Sequence, residues 1–475
     1  MNNITEPSNE GKASLASEDS YPSIGYSWYV VIILYLCYTF SFVDRSIIQY
    51  LVEPIKADLS INDTYFSLLS GLSFVAFYAF LGIPVGRLAD SRSRRNLLLA
   101  GVTIWSLMTV LCGHTSGLFA TIVYLPVQLM IWLFGQTSAY WELFFARMGV
   151  GIGEACLVPC AYSLIADYFH PKNRSLPLTI FSGGIMLGSG VAFVCGGLVS
   201  HYVKSGGPKE IFLFGLVQPW QLAFILVGLP GIFFILAIAT IREPVRHEQR
   251  DKPNSAQMFR FFFRHWVTYF SLIGGTTFGA VTNGAMLGWA VVWFQRRYGW
   301  TDDKIGTLLG ITVFVFGTVG LMLAGSLAGK YIRAGRKAVY IKLMMAAETL
   351  VIIPLVLALV YDNPYWVFGC MGGTIFFGGV SGGLGPASIQ SITPNEMRGQ
   401  VTAIMFLILS LVAITLGMTS VGVLTDYVFK DPKAVNLSAV IVGILGSILG
   451  VLSLQPGWRT YERTAEETRA AAPTP

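Results

Sequence analysis

The sequence predicts an all-α membrane protein with twelve transmembrane helices in two six-helix bundles. Three observations predict it. Of 475 residues, 54% are hydrophobic and only 12% charged, where soluble domains carry about 25% charged residues. The apolar residues gather in a dozen runs near the ~20 residues that cross a bilayer. The basic residues concentrate in alternate loops between those runs. The formal charge of +6 does not point to nucleic acid, because the bases do not line one soluble face.

The first six spans fall near 27–51, 65–88, 96–113, 142–166, 176–200 and 220–241. The second six fall near 267–293, 305–328, 338–361, 365–388, 400–425 and 435–455. This divides the chain into a disordered N-terminal segment 1–26, a bundle 27–241, a linker 242–266, a second bundle 267–456 and a tail 457–475. The first segment is polar and has no apolar core, so span one is expected to act as the insertion signal in place of a cleaved peptide. The tail ends in Ala and Pro and reads as disordered.

Loop charge sets the orientation. With both termini cytoplasmic, 22 of the 32 Lys and Arg fall on the cytoplasmic side and 8 on the other, as the positive-inside rule requires. An extra apolar stretch, Leu118 to Phe134, lies in the segment 114–141 and is interrupted by Pro126. As a span it would put Lys172, Arg174 and the basic stretch Arg242 to Arg264 outside, so an excursion on the outer face is expected. The membrane is expected to be a bacterial inner membrane or another cell membrane, and the protein a monomer.

The halves repeat one another faintly. Gly86 to Arg95 after span two parallels Gly325 to Lys337 after span eight. Pro171-Lys172-Asn173-Arg174 parallels Pro394-Asn395-Glu396-Met397-Arg398. Such similarity is expected of two bundles related by an axis along the membrane normal. In the first copy Gly86 would admit a close helix, Asp90 would accept bonds, and Arg94 and Arg95 would fix orientation, together forming a conformational latch; a plain positive-inside turn is the alternative. The second copy has Gly329 where Asp90 stands.

Charges inside spans are costly and therefore informative. Asp44 lies in span one, Arg147 and Glu154 in span four, and Glu348 in span nine. Arg147 and Glu154 share a helix face about 10 Å apart, too far to pair directly. Each needs another partner, and Asp44 is the candidate. Asp44 and Glu154 are the expected proton-exchanging pair, with Arg147 able to hold an anionic headgroup bidentately. A static ion network joining spans one and four is the alternative. Arg45 and Glu348 are equally readable as structural.

Asn283 and Trp289 of span seven, with Trp293, are candidates to line a substrate site from the second half; for the tryptophans a place in an interfacial aromatic belt is the commoner explanation. Gly184, Gly188, Gly325, Gly329 and Gly378 to Gly385 suit closely packed helices. Gly149, Gly151 and Gly153 lie inside an apolar span with no preceding strand, so packing explains them better than a nucleotide loop. The six Cys and five His form no metal-ligand pattern, and neither metal nor cofactor is expected.

On these residues the chain resembles the major facilitator superfamily. The Gly86 to Arg95 string is similar to its loop signature, with Ser93 where glycine is usual. Within it, Phe42-Val43-Asp44-Arg45 and the run Arg147 to Ala155, followed by Ser163 to Phe169, resemble the spinster-like branch. The resemblance implies two rocking bundles around a central cavity. It also implies a span-one acid with a span-four Arg/Glu pair, here Asp44, Arg147 and Glu154, serving proton-linked transport. Animal members move lysophospholipids or sphingoid phosphates. The Leu118 to Phe134 insertion departs from the usual short outer loop.

The expected function is secondary active transport of a small organic or amphiphilic, lysolipid-like anion, driven by a transmembrane proton gradient. A transporter-derived receptor or scaffold is the alternative. An enzyme is not expected, since no nucleophile motif or paired catalytic carboxylates appear.

Overall fold

The computed structural model describes residues 21–114, 121, 123–170, 172–211, 214–246, 255–394 and 397–470. Spans one to six are Ile24–Tyr50, Asp63–Gly82, Arg94–Cys112, Ser138–Tyr168, Ser175–Gly206 and Pro219–Ala239. Spans eight to twelve are Asp302–Arg333, Val339–Val360, Pro364–Ile392, Arg398–Phe429 and Pro432–Thr468. These eleven are long and apolar enough to cross a membrane. Trp266–Tyr298, at 33 residues, is span seven and completes the twelve. Its polarity has a structural cause. Ser271, Thr276, Thr277 and Thr282 are buried and the helix packs along span twelve, so protein and not lipid shields it.

Local chemistry sets the helix ends. The Ser93 hydroxyl accepts from the Asn96 amide at the start of span three, and Thr137 caps span four. Asn363 caps span ten with Pro364 behind it, and Gly299, at φ 62°, ends span seven. The side chains facing away from the protein, such as Phe233 and Leu236 of span six and Met322 of span eight, are exposed, as a lipid-facing surface needs. A two-stranded hairpin, Lys209–Ile211 with Gly215–Val217, interrupts the connection from span five to span six.

Packing within the first half relies on glycine. A Cβ on Gly153 would fall 2.5 Å from the Trp105 amide nitrogen, and one on Gly188 2.8 Å from the Phe42 ring. The halves meet where span five packs on span eight and the start of span two on span eleven. Gly190 and Gly197 there face Gly310 and Gly306 backbone to backbone.

Two expectations need correction. Gly86, Gly325 and Gly329 do not mediate close helix contacts: added side chains at the first two would meet nothing within 4 Å, and at Gly329 only its own helix's Arg333. The tail expected to be disordered continues helically to Ala470, because Tyr461, Thr464 and Ala465 are buried and Thr268 bonds Thr460 at 2.7 Å. The insertion contains the eleven-residue helix Tyr124–Phe134, too short to span; positions 115–120 and 122 lie outside the described residues. Residues 1–20 of the segment 1–26, for which disorder is expected, lie outside them too.

Candidate functional site

Span one brings two adjacent charges into the first bundle, and their one-residue offset turns them about 100° apart on the helix. Asp44 is fully buried. One of its oxygens, Oδ2, accepts bonds from the Trp105 indole N–H and the Thr109 hydroxyl of span three. The other, Oδ1, lies 3.9 Å from Arg147 Nη1 and has no hydrogen-bond partner. Arg45 turns instead to Glu154, donating from Nε to Oε2 at 2.6 Å and from Nη2 at 2.5 Å.

Aromatic faces complete the enclosure. The Arg45 guanidinium lies 4.9 Å from the Phe74 ring centroid and 4.7 Å from that of Tyr78. Arg147 also approaches the Phe74 ring, at 5.6 Å. Ring quadrupoles stabilise cations held this way. Two carboxylates and two guanidiniums make the cluster neutral overall, which lowers the cost of burying four charges.

Arg147 and Glu154 do not pair, in keeping with their spacing, and Arg147 faces Asp44. Arg45, equally readable as structural from the sequence, supplies the partner of Glu154. Its position next to Asp44 was the signal: neighbours on a helix face different sides, so one acid and one base there can serve two partners. The cluster is not saturated. Arg147 Nε and Nη1, Asp44 Oδ1 and Glu154 Oε1 are buried without hydrogen bonds, where buried polar groups are normally paired.

The second-half candidates divide. Asn283 lines a small cavity with Glu348 and Gly378. Trp289 is 1% exposed, donates its indole N–H to the Met418 carbonyl at 3.0 Å and packs on Phe66. In this conformation it is a packing residue, in place of the substrate-lining role expected of it.

The Gly86 to Arg95 string builds a clasp inside the first half. Arg94, 1% exposed, donates to Glu243 at 2.8 Å, to the Ser163 hydroxyl at 3.0 Å and to Asp167. Glu243 also accepts from the Arg95 amide and the Ser93 hydroxyl, each at 2.9 Å, so an anion sits at the N-terminus of span three. Burial would raise the Glu243 carboxyl, but the Arg95 amide and the Arg94 and Ser93 side chains outweigh it and hold it below the usual range. Arg95 itself donates to the Ala239 carbonyl at 2.7 Å. These partners bind spans three, four and six together. The Asp90 side chain lies outside the described residues.

At the end of the molecule away from the termini, polar contacts join the two halves. Arg296 of span seven grips Asp63 with two bonds of 2.6 and 2.7 Å and reaches Glu53 at 2.7 Å. Asp426 of span eleven accepts from the Thr64 amide at 2.7 Å and its hydroxyl at 2.6 Å. Lys204 of span five and Asp302 of span eight pair at 2.7 Å. Sequence reasoning missed this layer because charges at span ends look like ordinary loop charges.

Two helical bundles with an unsaturated charge cluster in one of them define a membrane transporter. The chain belongs to the Major Facilitator Superfamily, whose sequence model matches residues 34–418. It is 25% identical over 433 residues, 89% of this chain and 90% of the other, to an MFS-type efflux pump of Mycolicibacterium smegmatis. It is also similar to protein spinster homolog 1 of Xenopus tropicalis, 26% identical over 56% of this chain and 45% of that one. Among solved structures it shares its fold with a bacterial homolog of the human lysosomal transporter spinster in an inward-facing, unoccupied conformation. That match has a TM-score of 0.72 and 23% identity, and covers 96% of this chain and 100% of the other.

Proposed function

We propose that the protein is a proton-coupled secondary transporter of a small organic or amphiphilic anion, working by alternating access. The observation that carries this reading is the unsaturated cluster. Asp44 and Glu154 each face a different arginine, and both keep one buried oxygen without a hydrogen bond. A structural ion pair would use those atoms; a site that exchanges protons and takes an anionic group leaves them free. Arg147 presents two nitrogens without a hydrogen bond, Nη1 only in a 3.9 Å ion pair with Asp44, suited to a phosphate or carboxylate.

The termini face the cytoplasm on the charge bias of the loops. The polar layer around Arg296 then closes the outer side, and the open surroundings of Gly86 and Gly325 belong to a conformation facing inward. A thermal-shift screen of organic anions and lysophospholipids identifies the substrate, since a ligand of the folded form raises its apparent stability. With that substrate in proteoliposomes, Asp44→Asn and Glu154→Gln should each abolish flux driven by a pH gradient while leaving the protein folded. Normal pH-driven flux in both variants rejects the coupling assignment. Ligand binding with no flux in the wild type favours a receptor.

A further inference from the structure

One ionisable group in the membrane core takes no part in the cluster, the clasp or the layer around Arg296. Glu348 of span nine is 3% exposed, and its carboxyl borders a cavity lined also by Thr282 and Asn283 of span seven and Phe377 of span ten. The cavity offers about 10 Å³ to the centre of a water molecule, room for one. Two glycines make that room. A Cβ on Gly279 would collide with the Glu348 carboxyl, and one on Gly378 with the Asn283 amide.

Among the described residues, no cation faces this carboxyl from any element packed against it. Span ten and the Ile352–Val360 half of span nine contain no Asp, Glu, Lys or Arg; their titratable groups are Cys370 and the end residue Tyr365. Span twelve touches Glu348 at Gly450, and its charges lie at Lys433 and from Arg459 onward, at least ~13 Å along the helix. Span seven carries Tyr269, Tyr298, Arg296 and Arg297, the arginines already held by Asp63, Glu53 and Asp362. Span eight has Asp302, Asp303 and Lys304 at one end and Lys330, Tyr331 and Arg333 at the other. Lys342 and Tyr340 share span nine with Glu348, but Lys342 is exposed and lies over the Trp458 ring at 5.6 Å. An ion without a counter-charge is not kept in such a place, and a proton is the smallest group that removes the charge.

We propose that Glu348, with Thr282 and Asn283 across the cavity, forms a second proton-binding site, seated in the second bundle apart from Asp44 and Glu154. A carboxylate oxygen takes a proton from hydronium delivered through the cavity, leaving water, and returns it to water as hydronium; one O–H bond forms as another breaks. The part this site plays in transport rests on the reading above, but its proton occupancy does not. The test reads the proton directly. Infrared difference spectra of the full chain, wild type minus Glu348→Gln, are recorded from about pH 5 to about pH 9. A protonated carboxyl band should be present at neutral pH, should move on exchange into heavy water, and should fade as pH rises. No such band, or one unchanged over the whole range, overturns the proposal, the first by showing a carboxylate ionised throughout and the second a permanently neutral structural acid. Stabilisation of the wild type by sodium at fixed pH, absent in Glu348→Gln, overturns it in favour of a metal cation. Should Glu348→Gln not fold, Asn283→Ala keeps the carboxyl, and an unshifted band there counts equally against the site. Each result stands whatever Asp44→Asn does to flux.

Discussion

Replacing Arg296 by Gln should open the end of the molecule away from the termini. The Arg296 side chain is 8% exposed and its partner Asp63 1%, with two bonds of 2.6 and 2.7 Å between them. Breaking a buried pair of this kind costs about 3–5 kcal/mol. Glu53 is 49% exposed and adds no more than about 1 kcal/mol. Lys56 still contacts Asp63 in the variant and offsets part of the loss, leaving roughly 3 kcal/mol. Because these bonds join the halves, that energy belongs to the difference between closed and open arrangements. At 1.4 kcal/mol per factor of ten it shifts the equilibrium about 100-fold. Spin labels on the exposed residues Tyr202 and Tyr361 report the separation of the halves by double electron–electron resonance. Arg296→Gln should lengthen the distance distribution. Arg297→Gln should not, because Arg297 pairs with Asp362 inside the second half and both are exposed. Identical distributions for wild type and Arg296→Gln would refute the gating argument.

Other outcomes follow from the same geometry. Glu243→Gln should remove an acid-side loss of stability. The folded carboxyl lies below the usual range, so its contribution is present above the unfolded value near ~4.3 and is lost as pH falls through the folded one. Thermal unfolding from about pH 3 to about pH 6 checks it, the wild type weakening toward acid more than the variant. Gly153→Val should separate spans three and four, since a Cβ there would crowd the Trp105 amide at 2.5 Å. Overpacking of this kind costs about 1–3 kcal/mol, visible as a lowered melting temperature. Unchanged melting would show that span three can yield.

Much of the fold was legible because lipid imposes one demand on every span: about 20 apolar residues with all backbone groups bonded internally. Span seven tested that rule. Its threonines and glycines make it less apolar than its neighbours, and its packing along span twelve supplies the shielding that lipid does not. The helical tail was not legible, since the contacts of Tyr461 with Ser391 and Tyr340 and of Thr464 with Thr268 are long-range events. Neither was the seam of Gly190, Gly197, Gly306 and Gly310, because each glycine there needs a partner more than a hundred residues away.

Spacing along single helices determined, from the sequence alone, that Asp44, Arg147 and Glu154 lie inside the membrane and that the last two cannot pair. Which base meets which acid was decided only in three dimensions. Arg45 takes Glu154, Arg147 faces Asp44, Trp105 and Thr109 occupy one side of Asp44, and Arg296 reaches across to the other bundle. Periodicity is local to a chain segment and survives in one dimension. Ion pairing depends on distances of a few ångströms between helices far apart in sequence, and these exist only once the bundles have packed.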